Sequence, residues 1–98
     1  MRFYFKPMVI DFNSLSPFWL VVDHNNMITS CCDYFSTYKN KDIKECIIFH
    51  QPAVKLKTSL ALQLMGKLVL YTLVGNEMRY RANVIKYGEH IVFISWPL

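Results

Sequence analysis

The sequence predicts an α+β domain, one antiparallel sheet with short helices gathered on a single face. Three observations point there. The 98 residues are 53% hydrophobic, with aromatic residues spread along the chain, which suits one domain around one core. The chain starts and finishes with short apolar runs separated by turn signals, as strands are. Between those runs the punctuation changes to capping residues and a proline, as in short helices and loops.

Residues 1–15 read as an N-terminal arm, in which Phe3, Phe5, Val9, Ile10 and Phe12 are apolar and Pro7 prevents a continuous helix or central strand. The domain proper is expected over 16–98. Phe18 to Asp23 is a buried strand, His24-Asn25-Asn26 a turn in which asparagine tolerates left-handed geometry, and Met27 to Cys31 the returning strand. Asp33 offers an N-cap for a helical turn over Tyr34 to Tyr38. Ile43 to Phe49 is apolar and fits a strand or a short helix. Pro52 closes that segment, and Ser59 can cap a helix carrying Leu60, Leu62, Leu64 and Met65, with Gly66 at its C-terminus. Lys67 to Val74, Met78 to Tyr87 and His90 to Trp96 form a three-strand meander with turns at Gly75-Asn76 and Gly88-Glu89. Alternation puts Arg79, Arg81 and Asn83 on one side of the middle strand and Met78, Tyr80, Ala82 and Val84 on the other.

Composition and motifs remove several functions. There is no Gly-rich phosphate loop, no Gly-x-Ser-x-Gly elbow and no paired-acid motif, so an enzyme is not expected. Cys31, Cys32 and Cys46 lack the two-residue spacers of zinc knuckles, and His24, His50 and His90 lie at no paired-ligand distance, so neither metal nor cofactor is expected. Three cysteines, two of them adjacent, read as free thiols of a cytoplasmic protein. His50 is the best candidate haem ligand, but it precedes Gln51-Pro52 at a turn and a structural role fits better. The formal charge is +4, yet Lys39, Lys41 and Lys44 alternate with Asp42 and Glu45, the pattern of a solvated face rather than a nucleic-acid site. The longest apolar run, Phe18 to Val22, is far below the roughly 20 residues that span a bilayer, so no membrane helix is expected.

Some motifs carry a family resemblance. Ser16-Pro17-Phe18-Trp19-Leu20-Val21-Val22-Asp23, then His24-Asn25-Asn26 and Met27-Ile28, follows the pattern of a Phe-Pro-Phe-like opening, an apolar strand ending in Asp, a polar turn and Ile. Gln51-Pro52 aligns with an Arg-Pro signature, Tyr80-Arg81-Ala82-Asn83-Val84 with Leu-Arg-Gly-Gln-Met, and Phe93-Ile94-Ser95-Trp96-Pro97 with a closing Phe-Leu-Gly-Ser-Pro. From Ser16 to Pro97 the chain thus resembles the PAS domain found beside haem nitric-oxide sensors in guanylate cyclases and bacterial signalling proteins. The resemblance implies a five-stranded sheet in the order 2-1-5-4-3 with short helices on one face. It also implies dimerisation, as a homodimer or with a related PAS domain, and signal relay between a haem sensor and a cyclase or kinase output.

Three groups of residues follow as candidates. Phe3, Phe5, Val9, Ile10 and Phe12, joined by Tyr71, Tyr87 and Trp96 if alternation aims them away from the helices, form a dimer surface. Phe35, Tyr38, Leu62 and Met65 either fill the space under the helices or, in the alternative function, line a pocket for a small apolar ligand. Arg79 and Arg81 suit an anion clamp or cross-strand salt bridges to Glu77 or Glu89.

Overall fold

The computed structural model describes residues 18–55 and 59–98 in full, together with the backbone of 2–5 and 8–11. Near the N-terminus, β1 (Arg2–Phe5) and β2 (Met8–Asp11) pair antiparallel as a two-stranded ladder of their own. The main sheet contains β3 (Phe18–Val22), β4 (Ile28–Cys31), β5 (Ile47–Gln51), β6 (Val69–Leu73), β7 (Arg79–Tyr87) and β8 (His90–Pro97). These run in the order β4-β3-β8-β7-β6-β5, antiparallel throughout. A 3₁₀ turn (Asp33–Tyr38) and two single-turn helices, α1 (Ile43–Cys46) and α2 (Leu60–Leu64), complete the described elements.

The expected α+β class with an open antiparallel sheet is what the chain adopts. The strand number differs: the main sheet has six strands, not five, and counted from Phe18 the order is 2-1-6-5-4-3. The added strand comes from the segment that fitted both a helix and a strand. The Asp42 carboxylate accepts from the Lys44 amide at 3.0 Å and starts one turn, in which Ile43 and Cys46 are buried. The β-branched pair Ile47-Ile48 then takes the chain into extended geometry, and it zips along β6 with Ile47 opposite Leu73 and Phe49 opposite Tyr71.

Local chemistry fixes the turns. Asp23 accepts from the amides of Asn25 (2.8 Å) and Met27 (3.0 Å), and Asn26 takes the left-handed φ of +64° that the β3–β4 turn requires. Two expected caps differ. Cys32 rather than Asp33 holds the cap position of the 3₁₀ turn, and Ser59 makes no side-chain capping bond on α2. Instead the Gln63 amide both donates to the Lys55 carbonyl and accepts from the Lys55 amide, at 2.7 Å each, tying α2 to the segment after β5.

Strand register sorts the residues onto two faces. Phe18, Leu20, Val22, Ile91, Phe93, Ser95, Tyr80, Ala82, Val84, Val69, Tyr71 and Leu73 share the inner face, which the helical elements cover. The 3₁₀ turn reaches it through Phe35, whose ring meets Phe18 and Tyr80. Leu60 and Ala61 of α2 lie beside Ile91.

Candidate interaction surface

The inner face is filled by side chains. Tyr71 and Tyr80 stack at 5.4 Å, Phe35 sets its ring perpendicular to Tyr80 at 5.4 Å, and Phe93 meets the edge of Tyr71 at 6.1 Å. The Tyr71 and Ser95 hydroxyls share a buried hydrogen bond of 2.5 Å. Burial holds the Tyr71 phenol well above the ordinary tyrosine range. Tyr71 is thus a core residue and not part of an outer surface. The reason lies in β6, where Val69, Tyr71 and Leu73 are buried and Leu70 and Thr72 are half-buried on the other side.

The four residues considered for a ligand pocket do not converge. Phe35 is buried, and the half-buried Tyr38 donates its hydroxyl hydrogen to the Val74 carbonyl at 2.8 Å. Leu62 is 79% exposed and Met65 39% exposed. Helical periodicity explains Leu62: in α2 the buried stripe is Leu60, Ala61 and Leu64, which leaves position 62 turned outward, while Met65 is the extended residue that ends the helix.

The outer face divides in two. Over β3 and β8, Trp19, Val21, Val92 and Ile94 are buried. Over β7, Arg79, Arg81 and Asn83 are exposed. Between these halves Ile85, Tyr87 and Trp96 are half-buried, and a shallow groove of about 180 Å³ runs among Asn83, Ile85, Ile94 and Trp96. The Arg81 guanidinium lies over the Trp96 ring at 5.6 Å from its centroid, a cation–π contact across the β7–β8 pair. Glu89, considered as a partner for these arginines, instead faces His24, 3.6 Å from its Nδ1. Arg79 and Arg81 therefore flank an apolar strip. Phe3, Phe5, Val9 and Ile10 lie in β1 and β2, and Phe12 lies outside the described residues.

The burial of Trp19 and Val21 agrees with the buried strand expected over Phe18 to Asp23, whereas that of Val92 and Ile94 was not foreseen. Its signal is in the sequence: β3 and the centre of β8 are apolar at every position, as strands covered on both faces are, whereas β7 alternates.

Other groups have local roles. His50 is the extra residue of a bulge in β5, and its Nε2 meets Thr72 Oγ1 at 2.5 Å, away from the filled inner face. A cleft of about 310 Å³ beside the β3–β4 and β7–β8 turns is lined by Asp23, His24, Lys86 and Glu89 among others, charges of both signs that favour no one ligand. Among the described residues no three His, Cys, Asp or Glu side chains converge as metal ligands. Nor is any helix among them long and apolar enough to cross a membrane.

Cys31, Cys32 and Cys46 are free and buried. Burial raises the Cys31 and Cys46 thiols above their ordinary value, which lowers the fraction of reactive thiolate. A thiol reagent is expected to find all three slow in the native chain and all three fast in denaturant without reductant. A reading of one fast thiol per chain in denaturant would contradict this.

Protein-family models give no match to the chain, and a search of curated proteins finds no relative. What the geometry itself defines is an open antiparallel sheet, closed by side chains on one face and half open on the other.

Proposed function

We propose that the chain is a non-catalytic signalling module of the PAS type, which mediates dimerisation and relays a signal between a sensor and an output domain. The aromatic filling of the inner face carries this reading. Where Phe35, Tyr71, Tyr80 and Phe93 occupy the space that a small ligand would need, response to a partner at the surface is favoured over capture of a ligand. The motifs from Ser16 to Pro97 and the single-turn helices on one face support the family resemblance, with one edge strand added to its usual five.

The dimer surface is the open half of the outer face. Ile85, Tyr87 and Trp96 supply the apolar strip, Arg81 stiffens Trp96 by stacking, and the partner is a second copy or a related PAS domain. About 800 Å² per partner suffices for a specific complex. Buried free thiols agree with a cytoplasmic setting.

Sedimentation equilibrium of the full chain tests this. A dimer is expected at tens of micromolar, and Ile85→Asp with Trp96→Asp is expected to weaken it at least tenfold, or about 1.4 kcal/mol. A monomer throughout that range, or a dimer indifferent to the paired substitution, contradicts the proposed surface.

A further inference from the structure

An antiparallel sheet with helices on one face ordinarily leaves its other face in water. Here that holds for β7 but not for β8 beside it or β3 beyond. Trp19, the largest side chain on the outer face of β3, is 0% exposed, and Val21, Val92 and Ile94 around it are equally shielded. The burial stops abruptly at β7, where Arg79, Arg81 and Asn83 on the same face meet solvent. The cover is therefore local, and it sits chiefly over two adjacent strands. The 3₁₀ turn and α2 pack against the inner face and α1 lies against β5, so none of the three supplies it. Among the described elements β1 and β2 remain.

Their register makes them suitable. Phe3 pairs with Ile10 and Phe5 with Met8, while Arg2 pairs with Asp11 and Tyr4 with Val9. Cross-strand partners share a face and successive pairs alternate, so Phe3, Phe5, Met8 and Ile10 belong to one face of the hairpin, wholly apolar. Arg2 and Asp11 belong to the other, with Tyr4 and Val9. Val9 is thus separated from the apolar set to which the sequence reading assigned it. A two-stranded ribbon also matches the patch in width, since paired strands are about 4.8 Å apart in either sheet.

We propose that the β1–β2 hairpin docks on the outer face of its own chain, over β3 and β8, through the face that carries Phe3, Phe5, Met8 and Ile10. Among the described residues it makes no ladder with the main sheet, and packing holds it there. The hairpin is a strap: docked, it shields Trp19, Val21, Val92 and Ile94 and leaves only the β7 side of this face for a partner. Displaced, it uncovers a continuous apolar surface from β3 to the Trp96 groove. This goes beyond the proposed dimerisation and holds in a monomer as well as in a dimer.

Fluorescence of the full chain tests it. The sequence has two tryptophans, and Trp96→Phe leaves Trp19 as the sole reporter. In that background Phe5→Lys, on the docking face, is expected to raise acrylamide quenching of Trp19 several-fold and shift its emission to the red. Tyr4→Lys, one residue away on the opposite face, is expected to change neither. Shielding is also expected to survive dilution. The proposal is overturned if Phe5→Lys leaves Trp19 shielded, if both variants expose it equally, or if dilution alone exposes it, since a second copy would then be the cover. Should Phe5→Lys unfold the chain, nuclear Overhauser contacts in the unsubstituted protein decide. Contacts from the Trp19 indole to Phe3, Phe5 or Ile10 within one isotope-labelled chain support docking, and their absence, or their appearance only between differently labelled chains, overturns it.

Discussion

Replacing Tyr71 by alanine is expected to destabilise the chain by about 3–5 kcal/mol, the range for truncating a buried aromatic residue to alanine. The ring has no exposure, stacks on Tyr80 and receives Phe93 at its edge, so its removal opens a cavity bounded by rigid neighbours that collapse poorly into it. Domains of this kind have about 5–15 kcal/mol of stability, and the loss takes a large share of it. Tyr71→Phe separates the two parts of the residue. It keeps the ring and removes the hydrogen bond to Ser95, at an expected cost of about 0.5–1.5 kcal/mol. Leu62→Ala, at an exposed position, should stay within about 0.5 kcal/mol of the parent. Urea midpoints at constant slope measure all three. A Tyr71→Ala midpoint close to that of Leu62→Ala would show that the aromatic cluster is not the core.

The second large effect is loss of stability at alkaline pH. Burial keeps the Tyr71 phenol protonated in the folded chain well above its ordinary value of 10.0, whereas the unfolded chain releases that proton near 10. Above that point the unfolded state binds fewer protons, so raising the pH favours unfolding. The contribution of Tyr71 is complete below pH 10 and falls as the pH climbs toward the folded value, at up to about 1.4 kcal/mol per pH unit for one proton. Cys31 and Cys46 are shifted upward from 9.0 by burial, and Tyr80 upward from 10.0, so the decline begins near pH 9 with the thiols. Urea midpoints taken between about pH 8 and pH 11 should fall progressively, and more gently in Tyr71→Phe, which has no phenol to ionise. A flat profile would mean that these groups ionise as readily in the folded chain as in the unfolded one.

Much of the fold was legible because short-range chemistry dictated it. The Asp23–Asn26 turn, the β6–β8 meander and the alternation of β7 depend on residues within one hairpin of each other, and each is found as expected. What escaped depends on distant partners. Whether Ile47 to Gln51 ends as a strand is decided by β6, about twenty residues on, whose free margin it completes. The exposure of Leu62 follows from which side of α2 meets the core: with Leu60, Ala61 and Leu64 buried, position 62 points away, and that choice is made by the sheet beneath it. The outer surface was the least legible part. Tyr87 and Trp96 lie on the outer face but Tyr71 lies on the inner one, and the unbroken apolar run at the centre of β8 was read as a strand without the inference that both its faces need cover.

The margins of the main sheet carry a further consequence. At β4, Ile28 already gives its amide hydrogen to the Lys41 carbonyl and accepts from the Asn40 amide, and the ladder beside it is bulged between Val21 and Val22. At the opposite margin β5 is bulged between Phe49 and Gln51 and runs into Pro52, which has no amide hydrogen to offer a neighbouring strand. Strand-by-strand polymerisation needs a flat run of unsatisfied backbone groups, and bulges, prolines and self-paired ends all spoil such a template. The chain can thus display aromatic surface on a face of its sheet without that sheet becoming the seed of a fibril. Edge-to-edge growth is discouraged at the rims, where runaway assembly would otherwise start.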